Sequence, residues 1–557
     1  MLQAFHQWRR GYLCVVCVIL CVTVARAEPR PPVHVENASD IHALLIGIDA
    51  YQHVTPLKGA DADARDIETS LRQIGVADIT LLLDEEADRE SLLRAADSLR
   101  SRLRPGDLAI LSIAGHGAQE PERIRGSEQD GKDTVFLLAG FDTAGEGTKQ
   151  RILDQEFNHL IKSFEAAGAR VLFVADTCSG GGLAREVDPR AAEMSYRSVP
   201  AYQITGDELK PITTPADAFT TVLNFDRTIF LAAADRNSKV PEIKVPGIDG
   251  YRGGLSYAFA RALEGAADTD GDGNITIKEL FDYVHQVTYQ LSDQRQNIVS
   301  ATAPNLDAAT EPVISRSVII LNPPDSSPEH PAAPQPRDAA QAWGLSLPLS
   351  PVRIAALDNN NARLAGLTPL ETKYETVLST QYPELIWDAR SGDVISGADV
   401  VAHRVDKADL PAIIDRAATV RALKQIAARS VQPVRLIPDA RLHHGGTQVE
   451  VEVDQLDDRS LLLFNIAGDG TVQMLYPHNE SDARVFDRSN YRIQIYVLGP
   501  YGADQIVAVT APHYMSNLEL ALKKLDKRRT SGQIIKLLSR YADDRMRLGT
   551  IGVFTAP

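Results

Sequence analysis

Cysteine is almost absent from this sequence outside its first 27 residues. Of the four cysteines, Cys14, Cys17 and Cys21 lie in that segment, which leaves Cys178 as the single thiol of the remaining chain. No intrachain disulfide can form beyond residue 27, so cross-links between cysteines cannot stabilise the fold there. A lone thiol fits two roles, a buried structural residue or a reactive nucleophile.

Long hydrophobic runs are also missing. The most apolar run, residues 11–24, is shorter than the roughly 20 residues that a bilayer crossing needs. Arg9 and Arg10 precede this run and Ala25-Arg26-Ala27 follows it, as in a secretory signal peptide with a small-residue cleavage site. We therefore expect a signal peptide over residues 1–27 and a secreted or periplasmic protein with no membrane span after cleavage. An uncleaved N-terminal anchor is the alternative.

Basic residues are outnumbered by acidic ones. The chain has 58 Lys and Arg against 74 Asp and Glu, which gives a formal net charge of −16. This excess of negative charge disfavours binding to nucleic acid and to anionic membranes, and we expect neither as a partner. A soluble protein with basic substrates suits this balance.

Short apolar runs alternate with helical patterns over residues 42–320. This alternation predicts an α/β domain with a mostly parallel sheet flanked by helices, in which functional residues gather beyond the carboxyl ends of the strands. The runs rich in Val, Ile and Leu are 42–48, 79–83, 107–114, 169–175, 227–232 and 315–321. The helical patterns are 60–74, 88–102, 153–166, 254–265 and 276–291.

The pattern changes near residue 322. Residues 322–345 are rich in Pro and Ala and predict a linker stiffened by proline. Alternating strand patterns then dominate, as in residues 448–454, with a few helical stretches between them. We therefore expect an α/β domain over 40–321 and a β-rich accessory domain with helices over 346–557. No catalytic set is evident in the accessory domain, and we expect it to bind an unknown protein.

Two glycine-rich turns follow neighbouring strands of the predicted sheet. His116-Gly117 follows the run 107–114, and Cys178 follows the run 169–175. If these strands are adjacent and parallel, the two side chains meet at one edge of the sheet. An imidazole can then take the proton of a thiol whose ordinary pKa is about 8.5. The amides of Gly117 and Cys178 are the expected donors to an oxyanion.

These motifs resemble the peptidase C14 caspase-like family, and most closely its bacterial metacaspase or orthocaspase branch. The resemblance covers residues 40–321 and includes Leu44-Leu45-Ile46-Gly47-Ile48 and Gly254-Leu255-Ser256-Tyr257-Ala258. It implies a cysteine endopeptidase with His116 and Cys178 as the catalytic pair. Residues 430–512 resemble a domain of unknown function that follows caspase-like domains in bacterial exported proteins.

The resemblance also implies cleavage after Arg or Lys through an acidic primary pocket. Asp176, two residues before Cys178, matches one pocket acid, and Asp63 best matches the other. An Arg side chain that becomes partly buried needs carboxylate partners, which agrees with this assignment. The alternatives are a solvated acid in the first turn of a helix for Asp63 and a local turn residue for Asp176.

Two segments are candidates for binding Ca²⁺. The resemblance implies an activating site, but only Asp133 and Asp154 match it; Gln155 and Arg185 replace acids, so we do not expect that site to be intact. Residues 268–279 have the spacing of an EF-hand loop. Its candidate ligands are Asp268, Asp270, Asp272, Asn274 and Glu279. An Asp/Gly-rich turn that caps the next helix is the alternative, and no organic cofactor is expected.

Residues 183–226 have mixed charge, four prolines and no clear period, which predicts an exposed loop. The loop lies where caspase-like enzymes join their large and small parts. Self-cleavage at one of its basic residues is one hypothesis, and an ordinary loop is the other. These basic residues are Arg185, Arg190, Arg197 and Lys210.

Three functions remain open from sequence alone. The first is an exported endopeptidase that cleaves protein or peptide substrates after Arg or Lys. The second is a catalytically silent caspase-like module that binds partners or senses Ca²⁺. The third is a peptidase on the same sheet with a preference for Asp or Asn, which Asp63 and Asp176 would oppose because like charges repel.

Overall fold

The computed structural model describes most of the chain from residue 38 to residue 557, all of it within the compact unit Val33–Pro557. The structure does not describe residues 1–37, 129, 179–194, 215–216, 218–223, 235–238, 246–247, 316–346, 382, 398, 441, 480–481, 500 and 544. The predicted signal peptide and linker lie outside the described residues, so these predictions and the domain boundaries remain predictions. Among the described residues, no helix combines the length and hydropathy that a bilayer crossing requires.

A six-stranded sheet forms the centre of the N-terminal half. Its strands, in spatial order, are Val299–Thr302, Thr228–Ala232, Arg170–Asp176, Leu108–Ala114, Ile41–Gly47 and Asp78–Leu83. Every pairing is parallel except that of the edge strand Val299–Thr302, which runs antiparallel to its neighbour. The mostly parallel α/β sheet expected from the sequence is confirmed.

Helices cover both faces of this sheet, which explains why its strands are continuously apolar. In Leu108–Ala114 every residue is buried. On one face lie Ala60–Gln73, Gly254–Arg261 and Ile277–Leu291, and on the other lie Arg89–Arg102 and Asp154–Ala166. Each predicted helix is present within a few residues of its expected bounds.

A second, three-stranded sheet extends from the carboxyl edge of the central sheet. It consists of Gly117–Pro121, Lys132–Leu137 and Arg151–Leu153, paired antiparallel in that order. The sequence patterns did not indicate it. Short ladders elsewhere in this half join Glu242–Ile243 with Arg252–Gly253 and Asn274–Thr276 with Pro312–Ser315.

The C-terminal half is rich in strands, as expected. Its first sheet has the order Tyr374–Thr376, Val352–Ala356, Leu385–Asp388, Asp393–Ser396, Asp399–Ala402. A second sheet has the order Val434–Ile437, Gln448–Asp454, Asn490–Tyr496. A third has the order His443–His444, Arg547–Ala556, Ala503–Ala511, Ser460–Ile466, Val472–Tyr476. The helices of this half are Leu410–Ala427, Ser516–Lys523 and Ile534–Tyr541.

Helix Ile277–Leu291 and the loop after it make several of the contacts between the two halves. The Tyr283 hydroxyl donates to the Ala428 carbonyl, and Arg295 contacts both carboxylate oxygens of Asp399 at 2.9 Å. Arg295 and Asp399 are both almost fully buried, so their charges need each other in the folded protein.

Candidate active site

The strands that carry His116 and Cys178 are neighbours in the central sheet. They run parallel, and the residue that ends one, Ala114, pairs with the residue that ends the other, Asp176. His116 and Cys178 therefore each follow their strand by two residues at the same edge of the sheet. Both side chains are buried.

A segment of the chain itself lies across this edge. We call residues 195–198 the cleft segment. On one side it pairs antiparallel with residues 240–242: the Arg197 amide donates to the Val240 carbonyl at 3.0 Å, and the Glu242 amide donates to the Ser195 carbonyl at 2.9 Å. On the other side, Ser198 forms a parallel bridge with Gly117. An extended peptide is thus held in a cleft next to Cys178 by main-chain hydrogen bonds, as in β-strand addition.

The side chain of Arg197 fills the predicted acidic pocket. Its Nη2 donates to the Asp63 carboxylate, and its Nη1 lies 3.1 Å from Oδ1 of Asp176. Nη1 also donates to the Asp176 main-chain carbonyl at 2.9 Å. All three side chains are fully buried. The structure therefore brings together the two acids that the sequence singled out and places an arginine between them.

Main-chain amides from a distant part of the chain hold the two acids in place. The Gly253 amide donates to both oxygens of Asp63 at 3.0 Å, and the Ser256 amide donates to Asp176 at 2.8 Å. A solvated role for Asp63 is wrong, because the side chain has no exposed surface. A purely local turn role for Asp176 is wrong as well, because its partners lie on other elements.

Charge balance favours a cation in this pocket. Burial opposes the charge of Arg197, but Asp176, Asp63 and nearby Glu242 outweigh it and raise the pKa of the guanidinium above its usual value. Removing the cation would leave two buried carboxylates without a counter-charge, which is costly. The pocket is therefore built for a positively charged side chain.

Gly253 gives the guanidinium room to enter. A Cβ at this position would lie 2.1 Å from Oδ2 of Asp176 and 2.6 Å from Nη1 of Arg197. Both distances are far below van der Waals contact, so a side chain at position 253 would compete with arginine for the same space.

The amide of Gly117, the expected oxyanion donor, has a carbonyl oxygen as its partner. It donates to the Arg197 carbonyl oxygen at 3.1 Å. A Cβ on Gly117 would lie 1.7 Å from the carbonyl oxygen of Cys178, so only glycine allows this approach. The second expected donor, the amide of Cys178, remains a prediction.

Burial is the main influence on the pKa of both Cys178 and His116. Burial raises the pKa of the Cys178 thiol to about 11, and its Sγ accepts a hydrogen bond from the Val240 amide at 3.0 Å. Burial also lowers the pKa of His116. Nε2 of His116 lies 2.7 Å from the Thr55 carbonyl, so it carries the proton, and Nδ1 is left as a buried acceptor without a partner among the described residues. No hydrogen bond joins the thiol and the imidazole in the described part of the chain.

The structure brings together acids at both candidate calcium sites. At the first, Asp133 and Asp154 are joined by Glu128, which the sequence reasoning missed, and oxygens of all three lie within 4.8 Å of one another. Gln155 donates to Asp133, and Arg185 lies outside the described residues.

At the EF-hand-like loop, carboxylate oxygens of Asp268, Asp270 and Glu279 lie within 4.8 Å of one another. Glu279 also forms a capping box with Thr276 at the start of helix Ile277–Leu291, as the alternative expected. The Thr269 carbonyl accepts a hydrogen bond from Arg547 of the C-terminal half. The amides of Asp272 and Asn274 donate within the loop.

The prediction of an exposed loop over 183–226 fits many of its described residues, which are exposed, but it is wrong at several positions. Arg197, Val199, Leu209 and Phe225 are buried. The lack of sequence periodicity is explained by the irregular path of the segment, whose burial comes from contacts with distant strands. Glu242 and Gly253 were missed for the same reason, since neither belongs to a local motif.

Comparison with known proteins identifies the N-terminal half. The profile of the family described as Caspase domain matches residues 41–305. Metacaspase-1 of Eremothecium gossypii is 31% identical over 148 residues, which cover 25% of this chain and 31% of that protein. Metacaspase-1A of Aspergillus terreus is 31% identical over 148 residues, which cover 25% of this chain and 35% of that protein. The match thus spans only about a third of the length of these curated relatives.

Two solved structures share an overall likeness with this chain. A protein of Geobacter sulfurreducens has 21% identity and a TM-score of 0.35, covering 48% of this chain and 95% of its own. The Drosophila initiator caspase Dronc has 8% identity and a TM-score of 0.28, covering 48% of this chain and 82% of its own. The profile match and the metacaspase relatives support a caspase-like family for residues 41–305 of this chain.

Proposed function

We propose that this protein is an endopeptidase that cleaves after arginine, and less readily after lysine, by means of a Cys178–His116 pair. The observation that carries the proposal is Arg197, whose side chain lies between Asp63 and Asp176 while its carbonyl oxygen accepts from the Gly117 amide. The pocket, the oxyanion donor and the thiol are thus arranged around one residue as they would be around the residue before a scissile bond.

Arginine suits the pocket better than lysine for a geometric reason. The guanidinium contacts Asp63, the Asp176 carboxylate and the Asp176 carbonyl from two different nitrogens. A lysine ammonium is a single point charge on a different stem and cannot make the same set of contacts. The acids also oppose substrates with Asp at this position.

In the proposed mechanism, Nδ1 of His116 acts as the base because it has no hydrogen-bond partner among the described residues. Nδ1 of His116 accepts the thiol proton as the sulfur of Cys178 bonds to the substrate carbonyl carbon, and the Gly117 amide stabilises the oxyanion. The carbon–nitrogen bond then breaks, and His116 returns the proton to the leaving amine. Water hydrolyses the resulting thioester, which releases the new carboxyl group and restores the thiol.

The first substrate in this proposal is the chain itself. The Arg197–Ser198 peptide bond follows the residue that occupies the pocket, so self-cleavage there would leave Ser198 as a new N-terminus. Until the cleft segment leaves, it excludes other substrates from the pocket and keeps the thiol buried and protonated. The uncleaved chain is therefore a latent form.

We propose that Ca²⁺ binds the loop 268–279, with Asp268, Asp270 and Glu279 as the acids closest together. Their spacing along the chain and their proximity in space support this assignment. Export through the segment 1–27 and binding of a protein partner by the C-terminal half complete the proposal; both rest on sequence patterns alone.

Fluorogenic peptides ending in Arg, Lys, Asp or Asn test the activity, with and without Ca²⁺, on wild type and Cys178→Ala. We expect wild type to cleave the Arg peptide fastest and the Lys peptide more slowly, and not to cleave the Asp or Asn peptides. Cys178→Ala should cleave none of the four. Turnover of the Arg peptide by Cys178→Ala would contradict the mechanism. Failure of wild type to cleave any peptide would favour a catalytically silent binding module.

A further inference from the structure

The cleft holds a third buried carboxylate, Glu242, beyond the two that bind Arg197. Its side chain is only 3% exposed. Glu242 belongs to the short strand Glu242–Ile243, which lies beside the cleft segment, so it faces the peptide that occupies the cleft. The proposed catalytic step does not use this residue.

The two oxygens of Glu242 have different kinds of partner. Oε1 accepts from the main-chain amide of Lys58 at 2.9 Å, a contact that belongs to the fixed wall of the cleft. Oε2 accepts from the Ser195 hydroxyl at 2.8 Å, and Ser195 belongs to the cleft segment. When another peptide replaces this segment, the hydrogen bond to Oε2 must come from that peptide or from water.

The ladder fixes which residue of a peptide reaches Glu242. Arg197 stands first before the scissile bond, Tyr196 second and Ser195 third, and the same antiparallel ladder with residues 240–242 sets this spacing. Side chains alternate along a strand, so the third residue points to the same side as the first. A peptide with Arg in the pocket therefore presents its third residue to Oε2.

The geometry points to Glu242 as a specificity-determining residue that selects a hydroxyl side chain, Ser or Thr, at the third position before the scissile bond. This inference rests on the proposed function, because it assumes that external peptides bind as the cleft segment does. In the structure, the group that reaches Oε2 of Glu242 is the Ser195 hydroxyl, which is attached to Cβ and lies 2.8 Å away. A buried carboxylate left without its donor loses a charge-assisted hydrogen bond, which changes rates by roughly tenfold or more.

The charged groups near Glu242 have partners of their own. Arg197 is held by Asp63 and Asp176, and the Lys58 side chain lies over the ring of Tyr251 at 5.1 Å from its centroid. Asp49 is a nearby acid, and its pKa is raised to about 6 by burial, with Glu242 adding to the effect. An acidic third residue would add a further negative charge, so Asp should be disfavoured there.

The test compares peptides of the form X-Tyr-Arg with a fluorogenic leaving group, where X is Ser, Thr, Val, Ala or Asp. Thr and Val form the decisive pair, because they have nearly the same shape and differ in the hydroxyl. We expect wild-type kcat/KM to be about tenfold higher for Thr than for Val, and for Ser than for Ala, with Asp lowest. In Glu242→Gln, the Thr/Val ratio should fall toward one, which a purely structural role of Glu242 would not produce.

The outcomes separate this inference from the function on which it rests. Equal cleavage of the Thr and Val peptides by wild type would overturn the role of Glu242 and leave cleavage after arginine intact. An unchanged Thr/Val ratio in a folded Glu242→Gln protein would overturn it too. If wild type cleaves none of the Arg peptides, including the fluorogenic series above, both the proposed function and this inference are contradicted.

Discussion

Two acidic clusters of this protein satisfy their carboxylates in different ways. In the primary pocket, Asp63 and Asp176 are fully buried and share the guanidinium of Arg197. In the loop 268–279, the acids are partly exposed and accept hydrogen bonds mainly from amides of their own loop, such as that of Gly271 to Asp268 at 2.8 Å. Both clusters were selected from sequence as binding sites.

The two clusters differ in how strongly they restrict the chemistry of a bound ligand. The two buried carboxylates share a positive partner, and the main-chain ladder beside the pocket holds that partner as part of an extended peptide. Partly exposed acids are satisfied by water and local amides, so their arrangement is compatible with a cation but does not require one. The predictions below therefore carry larger effects for the pocket than for the loop.

Removing a pocket acid should have the largest effect. Asp176→Asn keeps the shape of the side chain but removes its charge beside a buried guanidinium, at a cost of about 2–5 kcal/mol. We expect kcat/KM for an Arg peptide to fall by about two orders of magnitude or more, and the Asp63→Asn variant to behave alike.

Asp61→Asn is the matched control for the pocket variants. Asp61 lies on the same helix as Asp63 but pairs at the surface with Arg65, and such pairs contribute at most about 1 kcal/mol. A loss of activity in Asp61→Asn as large as that in Asp63→Asn would show that the pocket assignment is wrong.

Emptying the pocket should make the thiol reactive. With the cleft segment bound, burial raises the pKa of Cys178 to about 11. An ordinary thiol has a pKa of about 8.5, so burial lowers the thiolate fraction by about a hundredfold or more near neutral pH. We expect Arg197→Ala to release the segment and to accelerate alkylation by iodoacetamide by up to about a hundredfold. Lys210→Ala, at an exposed position of the same stretch, should alkylate at the wild-type rate.

The pH dependence of alkylation gives an independent check on the same thiol. The raised pKa keeps the thiol protonated over most of the accessible pH range. The alkylation rate of Cys178 in the uncleaved wild-type protein should therefore rise about tenfold per pH unit up to about pH 10, without a plateau. In Arg197→Ala the rate should level off at lower pH, since the thiol titrates closer to its ordinary value. A plateau near pH 8 in the uncleaved wild type would contradict the burial of the thiol.

The loop 268–279 should show the smallest effect. If Ca²⁺ binds there, adding it should raise the melting temperature of wild type by a few degrees, as ligand binding stabilises a folded state. Asp270→Asn can keep the local hydrogen bond to the Asp272 amide but removes charge, so its shift should be smaller. No shift in wild type would favour the loop as a helix-capping turn alone.

Local patterns in the sequence were enough to predict the scaffold of the site. The strands Leu108–Ala114 and Arg170–Asp176 lie within one residue of their expected positions, since buried parallel strands are continuously apolar. The strand Gly117–Pro121 could not be predicted in this way. It contains Gly, Glu and Pro, and it forms because it pairs with Lys132–Leu137.

The occupant of the pocket could not be chosen from sequence. Arg185, Arg190, Arg197 and Lys210 share one stretch of irregular composition, and nothing local distinguishes them. Arg197 reaches the pocket because the cleft segment pairs with residues 240–242, more than forty positions away in the chain. Such pairings depend on the assembled fold, as does the position of Glu242.

The most direct test of the account is the mass and N-terminal sequence of fragments formed by the purified full-length chain. After incubation with and without Ca²⁺, wild type should yield a fragment that begins at Ser198, while Cys178→Ala and Arg197→Ala stay uncut at that bond and Lys210→Ala is cut like wild type. A wild-type chain that cleaves Arg peptides yet keeps the Arg197–Ser198 bond intact would contradict the claim that Arg197 lies in the active site as a substrate.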